Sequence, residues 1–370
     1  MFNLENLNVV HARVGLPLNH WMPEPGTYAE SGPAQASLEA LQKLSQRGIP
    51  TVVSVWEPPV WMIGGSAEQG GRELPLHRYG DCVRGVVAYL ELAKEKYGAE
   101  PAYFSFNEPD LGVNVKMSPQ QMATFIRVAG RAFADAGLKT KFLVGDTARG
   151  ATLVDYARPL LEDKSLAPYL GPLAFHNWDA LATSDATYNH IRQLGTEFGK
   201  EVWCLEAGHD AELWRRPHQW ETWDNALLLA VAYAKTVRTS GARLMNYWTH
   251  EDDYPLVSAD GTRPFPAFEV IRLLERVLPP GSNVVDTLSE SPDIEVVATV
   301  GPGPRAFAFL SANVSGPGRL SLTGLPPNEP VEIVTKTGGG APSTTRSRTN
   351  AQGGLTVEVP GRSVVAVFGT

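Results

Sequence analysis

The sequence predicts an α/β fold in which a (β/α)8 TIM-type barrel is followed by a small all-β sandwich. Three observations support this prediction. β-forming runs alternate with helical patterns through the first 280 residues of the 370-residue chain, polar or aromatic residues follow nearly every predicted strand, and only short alternating runs follow a linker at Pro279–Ser282. We therefore expect a barrel domain over residues 1–280 and a sandwich domain over residues 283–370.

Seven strands and seven helices are predicted before the linker. The strands are Val9–Leu16, Thr51–Trp56, Ala102–Asn107, Lys141–Gly145, Pro172–His176, Glu201–Glu206 and Arg243–Trp248. The helices are Ala34–Arg47, Asp81–Tyr97, Pro119–Ala136, Thr152–Leu161, Asp185–Phe198, Glu221–Ser240 and Pro266–Val277. A glycine follows five of the helices, where the residue after the cap commonly needs a positive φ: Gly48, Gly98, Gly137, Gly199 and Gly241.

Repeated βα units predict a parallel sheet with helices outside it. A doubly wound sheet and a barrel both satisfy this pattern. We favour the barrel because the carboxyl ends of all its strands ring one mouth, whereas a doubly wound sheet would concentrate functional residues at one switch point. Only seven βα units are visible, so the first unit of an eight-fold barrel is missing from the pattern. The first visible strand is therefore counted as the second.

Beyond the linker, short alternating runs separated by Gly and Pro predict a sandwich. The runs are Ile294–Val300, Ala306–Ser311, Arg319–Leu322, Val331–Thr335, Leu355–Val359 and Ser363–Phe368. The segment Thr337–Gln352 is rich in Gly, Ser and Thr and is expected to be a mobile hairpin loop.

The composition excludes several kinds of partner. The net charge is −8 and no basic patch stands out, so no nucleic-acid partner is expected. No apolar run approaches the length of about 18 residues that indicates a membrane span. No signal peptide is visible at the first residues, which is compatible with a cytoplasmic protein, or with a secreted one whose N-terminus is truncated here. The oligomeric state is not predicted.

No cofactor or metal is expected either. Cys82 and Cys204 fall inside a predicted helix and a predicted strand, so we expect buried free thiols and no zinc site. No phosphate-binding glycine loop follows a strand. The acidic run His250–Asp253 could suggest a divalent metal, but its spacing matches no known motif, and a solvated loop or substrate contacts are expected instead.

Two glutamates point to the chemistry. Glu108 closes the run Phe104–Pro109, and Glu206 closes the run Val202–Gly208. Each lies where a buried strand meets a loop, and a carboxylate is costly to bury there unless it is used or paired. Cleavage of a glycosidic bond needs such a pair, one proton donor and one nucleophile or base.

The motif Asn107-Glu108-Pro109 resembles that of clan A glycoside hydrolases. In those barrels an Asn-Glu at the end of strand four supplies the acid/base, and the nucleophile ends strand seven. The count used above places Glu108 on strand four and Glu206 on strand seven. The resemblance further implies that Arg13 lies against the nucleophile and holds it ionised, and that Asn107 bonds the sugar 2-hydroxyl.

The run Trp56–Met62 is similar to the Trp-Ser-Pro-Pro-Ala-Trp-Met signature of glycoside hydrolase family 30, which also pairs its barrel with a β-sandwich. Glu57 replaces the small residue usual after the first Trp. Families 39 and 5 also fit the clan motif. The resemblance implies that His176 lies near the nucleophile and that Trp248 floors the subsite of the cleaved sugar.

Tryptophans at strand ends add to the case for a carbohydrate, because sugar C–H faces stack on indole rings. Seven lie at or just beyond predicted strand ends: Trp21, Trp56, Trp61, Trp178, Trp214, Trp220 and Trp248. The prediction is a retaining β-glycoside hydrolase that works by double displacement, with Glu108 as acid/base and Glu206 as nucleophile. The alternative is a non-catalytic carbohydrate-binding protein on a decayed barrel, motivated by the missing first unit.

Overall fold

The computed structural model describes residues 5–66, 71–249, 253–301, 307–338 and 340–369. The chain forms two compact units. The first comprises residues 9–176 and 190–205, and the second comprises residues 5–8, 177–189 and 206–369. Strand β8 begins in the first unit and ends in the second, and each unit is described by itself below.

The parallel sheet has seven strands in the order β1-β2-β5-β6-β7-β8-β9, as the sequence predicts. The first nine strands of the chain are β1 (Ala12–Gly15), β2 (Thr51–Val55), β3 (Gly64–Ser66), β4 (Gly71–Glu73), β5 (Tyr103–Phe106), β6 (Lys141–Thr147), β7 (Leu170–His176), β8 (Val202–Ala207) and β9 (Ala242–Tyr247). Strands β1, β2, β5, β6 and β7 pair in parallel, each with the next. The carboxyl ends of these strands therefore share one edge.

Eight helices accompany the described strands. They are α1 (Leu18–Trp21), α2 (Gly32–Gln46), α3 (Tyr79–Tyr97), α4 (Pro119–Asp135), α5 (Gly150–Glu162), α6 (Asp185–Phe198), α7 (Trp223–Ser240) and α8 (Pro266–Val277). The bounds of α6 and α8 match the prediction at both ends. The five glycines expected after helices all have φ between 60° and 70°. In α4, Ser118 and Gln121 form a reciprocal capping box, which satisfies two N–H groups at the helix start.

Aromatic packing holds the central strands of the first unit. Phe104 in β5 contacts Phe106, Phe133 and Phe142 edge-on, with ring centroids 5.4, 6.2 and 5.7 Å away. All of these rings are buried. Burying each such side chain stabilises the fold by about 1.5–3 kcal/mol. The cluster fixes strand β5, and with it the position of the loop that carries Glu108.

Helix α1 was not predicted, and it corrects the expectation for Trp21. Trp21 is 4% exposed, stacks on Tyr28 and donates from Nε1 to the carbonyl of Gly85 at 2.8 Å. A Cβ at Gly85 would lie 2.6 Å from the terminal methyl of Met22, so α1 approaches α3 closely at this glycine. Trp21 is thus a core residue between two helices and not a surface for sugar stacking.

The second unit contains α7, α8 and eight further strands. These strands are β10 (Asn283–Val285), β11 (Ile294–Val300), β12 (Phe307–Asn313), β13 (Gly318–Leu322), β14 (Pro330–Thr337), β15 (Ser343–Arg348), β16 (Leu355–Val359) and β17 (Ser363–Gly369). They form an antiparallel sheet of order β10-β11-β12-β17-β14-β15 and a separate antiparallel pair β13-β16. The apolar face of β16 packs with the inward residues of the larger sheet, among them Val365 and Val367, as expected for a sandwich.

The predicted mobile loop Thr337–Gln352 is wrong over part of its length. Ser343–Arg348 forms strand β15, which pairs antiparallel with β14 from Pro330↔Arg348 to Thr335↔Ser343. Every residue of β15 is exposed and polar. A strand with no buried face shows no hydrophobic alternation, so its sequence resembles a loop.

The predictions for the two thiols are confirmed, because Cys82 and Cys204 are both buried and neither forms a disulfide. Burial raises the pKa of the Cys82 thiol far above its ordinary value. Within the part of the chain that is described, none of the helices combines the length and the apolar character needed to cross a bilayer.

Candidate active site

Glu108 follows strand β5 in an unusual backbone conformation. Its φ is +48°, in the left-handed region that non-glycine residues seldom adopt. The amide N–H of Glu108 donates to the carbonyl of Asp146 at 3.1 Å, and its own carbonyl accepts from Leu111 and Gly112, both at 3.1 Å. Such conformations cost about 1–3 kcal/mol and cluster at functional sites. The hydrogen bonds on both sides of Glu108 hold it in place.

His176, at the end of β7, lies between two carboxylates. Its Nδ1 is 3.0 Å from Glu108 Oε1, and its Nε2 is 3.1 Å from Asp146 Oδ1. The His176 side chain and the Asp146 side chain are fully buried, while that of Glu108 is 18% exposed. Which of the two ring nitrogens donates and which accepts depends on the tautomer of His176.

Arg13, near the end of β1, lies on the other side of Asp146. Its Nη2 donates to Asp146 Oδ2 at 2.6 Å and to Asn107 Oδ1 at 3.0 Å, and its Nε donates to Ser54 Oγ at 2.8 Å. The Arg13 side chain is only 4% exposed. This buried cation orients the Asn107 amide beside Glu108 in the chain. Arg13 also lies over the ring of Trp56, 4.4 Å from its centroid.

Asp146 is the functional residue that the sequence reasoning missed. Burial alone would raise the pKa of this carboxyl, but Arg13, His176 and the hydroxyl of Ser105 together lower it below its ordinary value. Ser105 donates to Asp146 Oδ2 at 2.7 Å. Asp146 is therefore a buried carboxylate that fixes both the cation Arg13 and the histidine that contacts Glu108.

Replacing Asp146 with asparagine should lower the free energy of unfolding by about 3–5 kcal/mol at pH 7, because the buried Arg13 would lose the charge of Asp146. Folding lowers the pKa of Asp146 below its unfolded-state pKa of about 3.8. The contribution of Asp146 to stability is therefore complete above pH 3.8 and is lost as the pH falls through the folded-state pKa. Urea unfolding at pH 7 and near pH 3 measures the effect.

The difference between wild type and Asp146→Asn should therefore shrink in acid. Asp155→Asn provides the control, because Asp155 is an exposed aspartate on helix α5. An equal loss of stability at both pH values would show that the charge of Asp146 is not its source.

In the second unit, Glu206 ends strand β8 and is 4% exposed. Its Oε2 accepts a hydrogen bond from Trp178 Nε1 at 3.1 Å, and its carbonyl accepts from the amide of Asn177 at 3.2 Å. The side chain of Asn177 accepts from the amide of Gly208 at 2.9 Å and donates to Thr236 Oγ1 at 2.9 Å. These bonds fix the backbone from Glu206 to Gly208 and give one carboxylate oxygen a defined donor.

The indole of Trp178 is held by close packing. A Cβ at Gly208 would lie 2.2 Å from Trp178 Cζ3, so only glycine fits there. Tyr254 packs against the same indole with ring centroids 5.2 Å apart, and its hydroxyl donates to the carbonyl of Ala211 at 2.7 Å. The amide of Trp248 donates to the carbonyl of Ala207 at 3.3 Å, and the Trp248–Thr249 peptide is cis.

Both ring nitrogens of His176 face carboxylate oxygens of the first unit. Part of the acidic run singled out in the sequence, residues 250–252, lies outside the described residues.

Comparison with known proteins rests on structure alone. No protein-family model matches the sequence. No curated protein matches it either. A family 30 endoxylanase from Clostridium papyrosolvens superposes with a TM-score of 0.76 at 18% identity, over 100% of this chain and 92% of that one. The catalytic domain of family 30 xylanase C from Talaromyces cellulolyticus gives 0.71 at 17% identity, over 97% and 88%.

The chain has the fold of family 30 glycoside hydrolases. The resemblance drawn from Trp56–Met62 and Asn107–Pro109 is confirmed at the level of the fold. An endo-β1,6-glucanase also superposes, with a TM-score of 0.62 at 16% identity, over 97% of this chain and 81% of that one. The family 30 fold covers both the parallel sheet and the β-sandwich of this chain, in agreement with the predicted fold class.

Proposed function

We propose that the protein is a retaining β-glycoside hydrolase in which Glu108 is the acid/base and Glu206 the nucleophile. One observation carries the proposal. Glu108 follows strand β5 and Glu206 is the penultimate residue of strand β8, and both strands belong to one seven-stranded sheet of a chain that has the fold of family 30 glycoside hydrolases. In barrels of this type the carboxyl ends of the strands bear the catalytic residues.

In the first half of the reaction, the carboxyl group of Glu108 gives its proton to the glycosidic oxygen, and a carboxylate oxygen of Glu206 attacks the anomeric carbon. The bond to the leaving group breaks and a glycosyl-enzyme ester forms. In the second half, the Glu108 carboxylate takes a proton from water, whose oxygen attacks the same carbon and releases Glu206. The contact between Glu108 Oε1 and His176 supports the role of Glu108, because it keeps the carboxyl group oriented during both proton transfers.

The nucleophile needs one fixed orientation and an ionised carboxylate. Trp178 Nε1 supports both for Glu206, because a hydrogen bond from a donor stabilises the charged form of its acceptor. We assign Asn107 to the sugar 2-hydroxyl, since Arg13 already occupies the Oδ1 of Asn107 and leaves its amide N–H groups for a ligand. Trp56 and Trp248 are assigned to the faces of the bound sugar.

The remaining two assignments act on the catalytic groups. Arg13 and Asp146 form an ion pair beside Asn107. His176 contacts Glu108 and holds its carboxyl group in position. A carbohydrate is therefore the partner proposed for this site. The structural neighbours are described as xylanases and an endo-β1,6-glucanase, which makes β-linked xylose and glucose polymers the first substrates to examine.

A panel of aryl β-glycosides, xylans and β-glucans, followed by proton NMR of the first product, tests the proposal. Retention predicts that the released sugar carries the β configuration before it mutarotates. First release of the α anomer would contradict the double displacement. Binding across the panel without cleavage would favour the alternative, a carbohydrate-binding protein that has lost its activity.

A further inference from the structure

A cavity of about 440 Å³ lies in the first unit, beside Trp56. Its polar lining comes from Asn19, His20, Glu57 and Asn114. The volume falls within the range of about 300–1,000 Å³ that is typical of small-molecule sites. An indole flanked by polar side chains is the composition that binds a sugar ring, because the ring has apolar C–H faces and a polar edge.

Helix α1 and the loop that follows strand β2 are tied together at Glu57. Asn19 Nδ2 donates to Glu57 Oε2 at 3.2 Å, and the amide of Asn19 donates to the carbonyl of Glu57 at 3.1 Å. The Oδ1 of Asn19 accepts from the amide of His20 at 2.9 Å, so the orientation of the Asn19 side chain is defined at both ends. Glu57 is therefore an exposed carboxylate that is nonetheless held in place.

Several polar atoms of the lining have no partner among the described residues. These are Glu57 Oε1, the ring nitrogens of His20 and the side-chain amide of Asn114. Glu57 Oε1 can accept a hydrogen bond from a ligand. The ring of His20 and the side-chain amide of Asn114 can each donate and accept one. Together they match the alternating hydroxyl donors and acceptors at the edge of a neutral sugar.

Glu57 is the acidic residue of the lining, and among the described residues no lysine or arginine lines the cavity. Arg13 approaches the ring of Trp56, but its guanidinium is engaged by Asp146, Asn107 and Ser54. A ligand carboxylate would therefore meet the charge of Glu57 without a lysine or arginine of the lining to offset it.

We infer that this cavity is a subsite for an uncharged sugar ring, and that Glu57 makes the protein discriminate against uronic acids. The inference deepens the proposed hydrolase function, on which it rests for the relevance of a sugar ligand. Like charges a few ångströms apart near a protein surface repel enough to weaken binding about tenfold. Glu57 is then a specificity-determining residue, in the position where the family 30 signature has a small residue.

Calorimetric titration with matched trisaccharides tests the inference. Cellotriose is compared with its counterpart whose non-reducing unit is glucuronic acid, and a galactose series is compared with its galacturonic acid counterpart. The wild type should bind the neutral member about tenfold more tightly. The variant Glu57→Gln, which keeps the shape and removes the charge, should bring the ratio near one, mainly by strengthening binding of the uronic acid.

Glu91→Gln on helix α3 is the matched control, because it removes the same charge from a residue outside the cavity lining and should leave the ratio unchanged. An unchanged ratio in Glu57→Gln, a wild-type preference for the uronic acid, or no binding in either series would overturn the inference. Hydrolysis with an unshifted ratio would reject the subsite and keep the hydrolase. A shifted ratio without any hydrolysis would keep the subsite and reject the hydrolase function.

Discussion

Replacing Glu206 with alanine is expected to lower kcat by a factor on the order of 10⁴–10⁶, as the loss of a catalytic nucleophile does in other enzymes. Without the carboxylate no glycosyl-enzyme can form, and the indole N–H of Trp178 loses its acceptor. Steady-state kinetics with an aryl β-glycoside found active in the panel would measure the loss.

Adding azide to the Glu206→Ala variant tests whether Glu206 is the nucleophile. A small anion can enter the space left by the Glu206 side chain and attack the anomeric carbon once, so the product should be the α-glycosyl azide. Glu201→Ala is the control, because Glu201 is an exposed glutamate just before the same strand and should leave kcat near the wild-type value. Activity retained in Glu206→Ala, or a β-azide product, would remove Glu206 from the role of nucleophile.

The second large effect is expected at Glu108. Replacement with alanine removes the proton donor, and general acid–base catalysis typically contributes about 10²–10⁴-fold. The loss should reach this size for substrates with poor leaving groups, such as oligosaccharides. It should be much smaller for an aryl glycoside with a strongly acidic phenol, which can leave without a proton. Comparing kcat/KM across a series of phenol leaving groups measures this dependence.

Azide again separates the roles of the two glutamates. In Glu108→Ala the glycosyl-enzyme still forms, and azide attacks it from the other face, so the product should be the β-glycosyl azide. The variant His176→Gln serves as a comparison, because it removes the partner of Glu108 and keeps the carboxyl group. It should lower kcat without the steep dependence on leaving group. The same steep dependence in His176→Gln would place the proton donor elsewhere.

Much of the fold could be predicted because its signals are local. Periodicity and terminal glycines located the helices, and two of them, α6 and α8, agree with the structure at both ends. The resemblance to clan A named Arg13 and Asn107 as site residues, and the structure joins Arg13 Nη2 to Asn107 Oδ1 at 3.0 Å. Parallel βα units bring strand ends to one edge, which is why residues from two different strands meet there.

Asp146 could not be predicted in the same way. The strand was expected to end at Gly145, whereas β6 continues to Thr147 with an irregular register opposite β7 at Gly145–Thr147. Gly145 and Asp146 both have positive φ, at 106° and 54°. Regular alternation of side chains fails at such an irregularity. The direction in which the Asp146 side chain points is therefore set by the neighbouring strands and not by its place in the sequence. Its setting after a glycine at a strand end is the signal that could have drawn attention to it.

The prediction that Trp21 lies on the rim is wrong for a different reason. Its position after a strand suggested the rim, but the four-residue helix α1 turns the indole onto the carbonyl of Gly85. Short helices have weak sequence signals, because a single turn shows no full period. Proximity to a strand end is therefore insufficient evidence that a tryptophan binds sugar.

Strand β15 bears on the behaviour of the protein in concentrated solution. It lies at the edge of its sheet, next to β14 only, and a bare edge can recruit a strand from another molecule. The edge of this sheet carries the sequence Ser-Thr-Thr-Arg-Ser-Arg, so two molecules meeting edge to edge would bring Arg346 and Arg348 of each into mutual repulsion. The charged side chains of β15 therefore oppose the pairing of two sandwiches edge to edge, which is the first step toward a fibre.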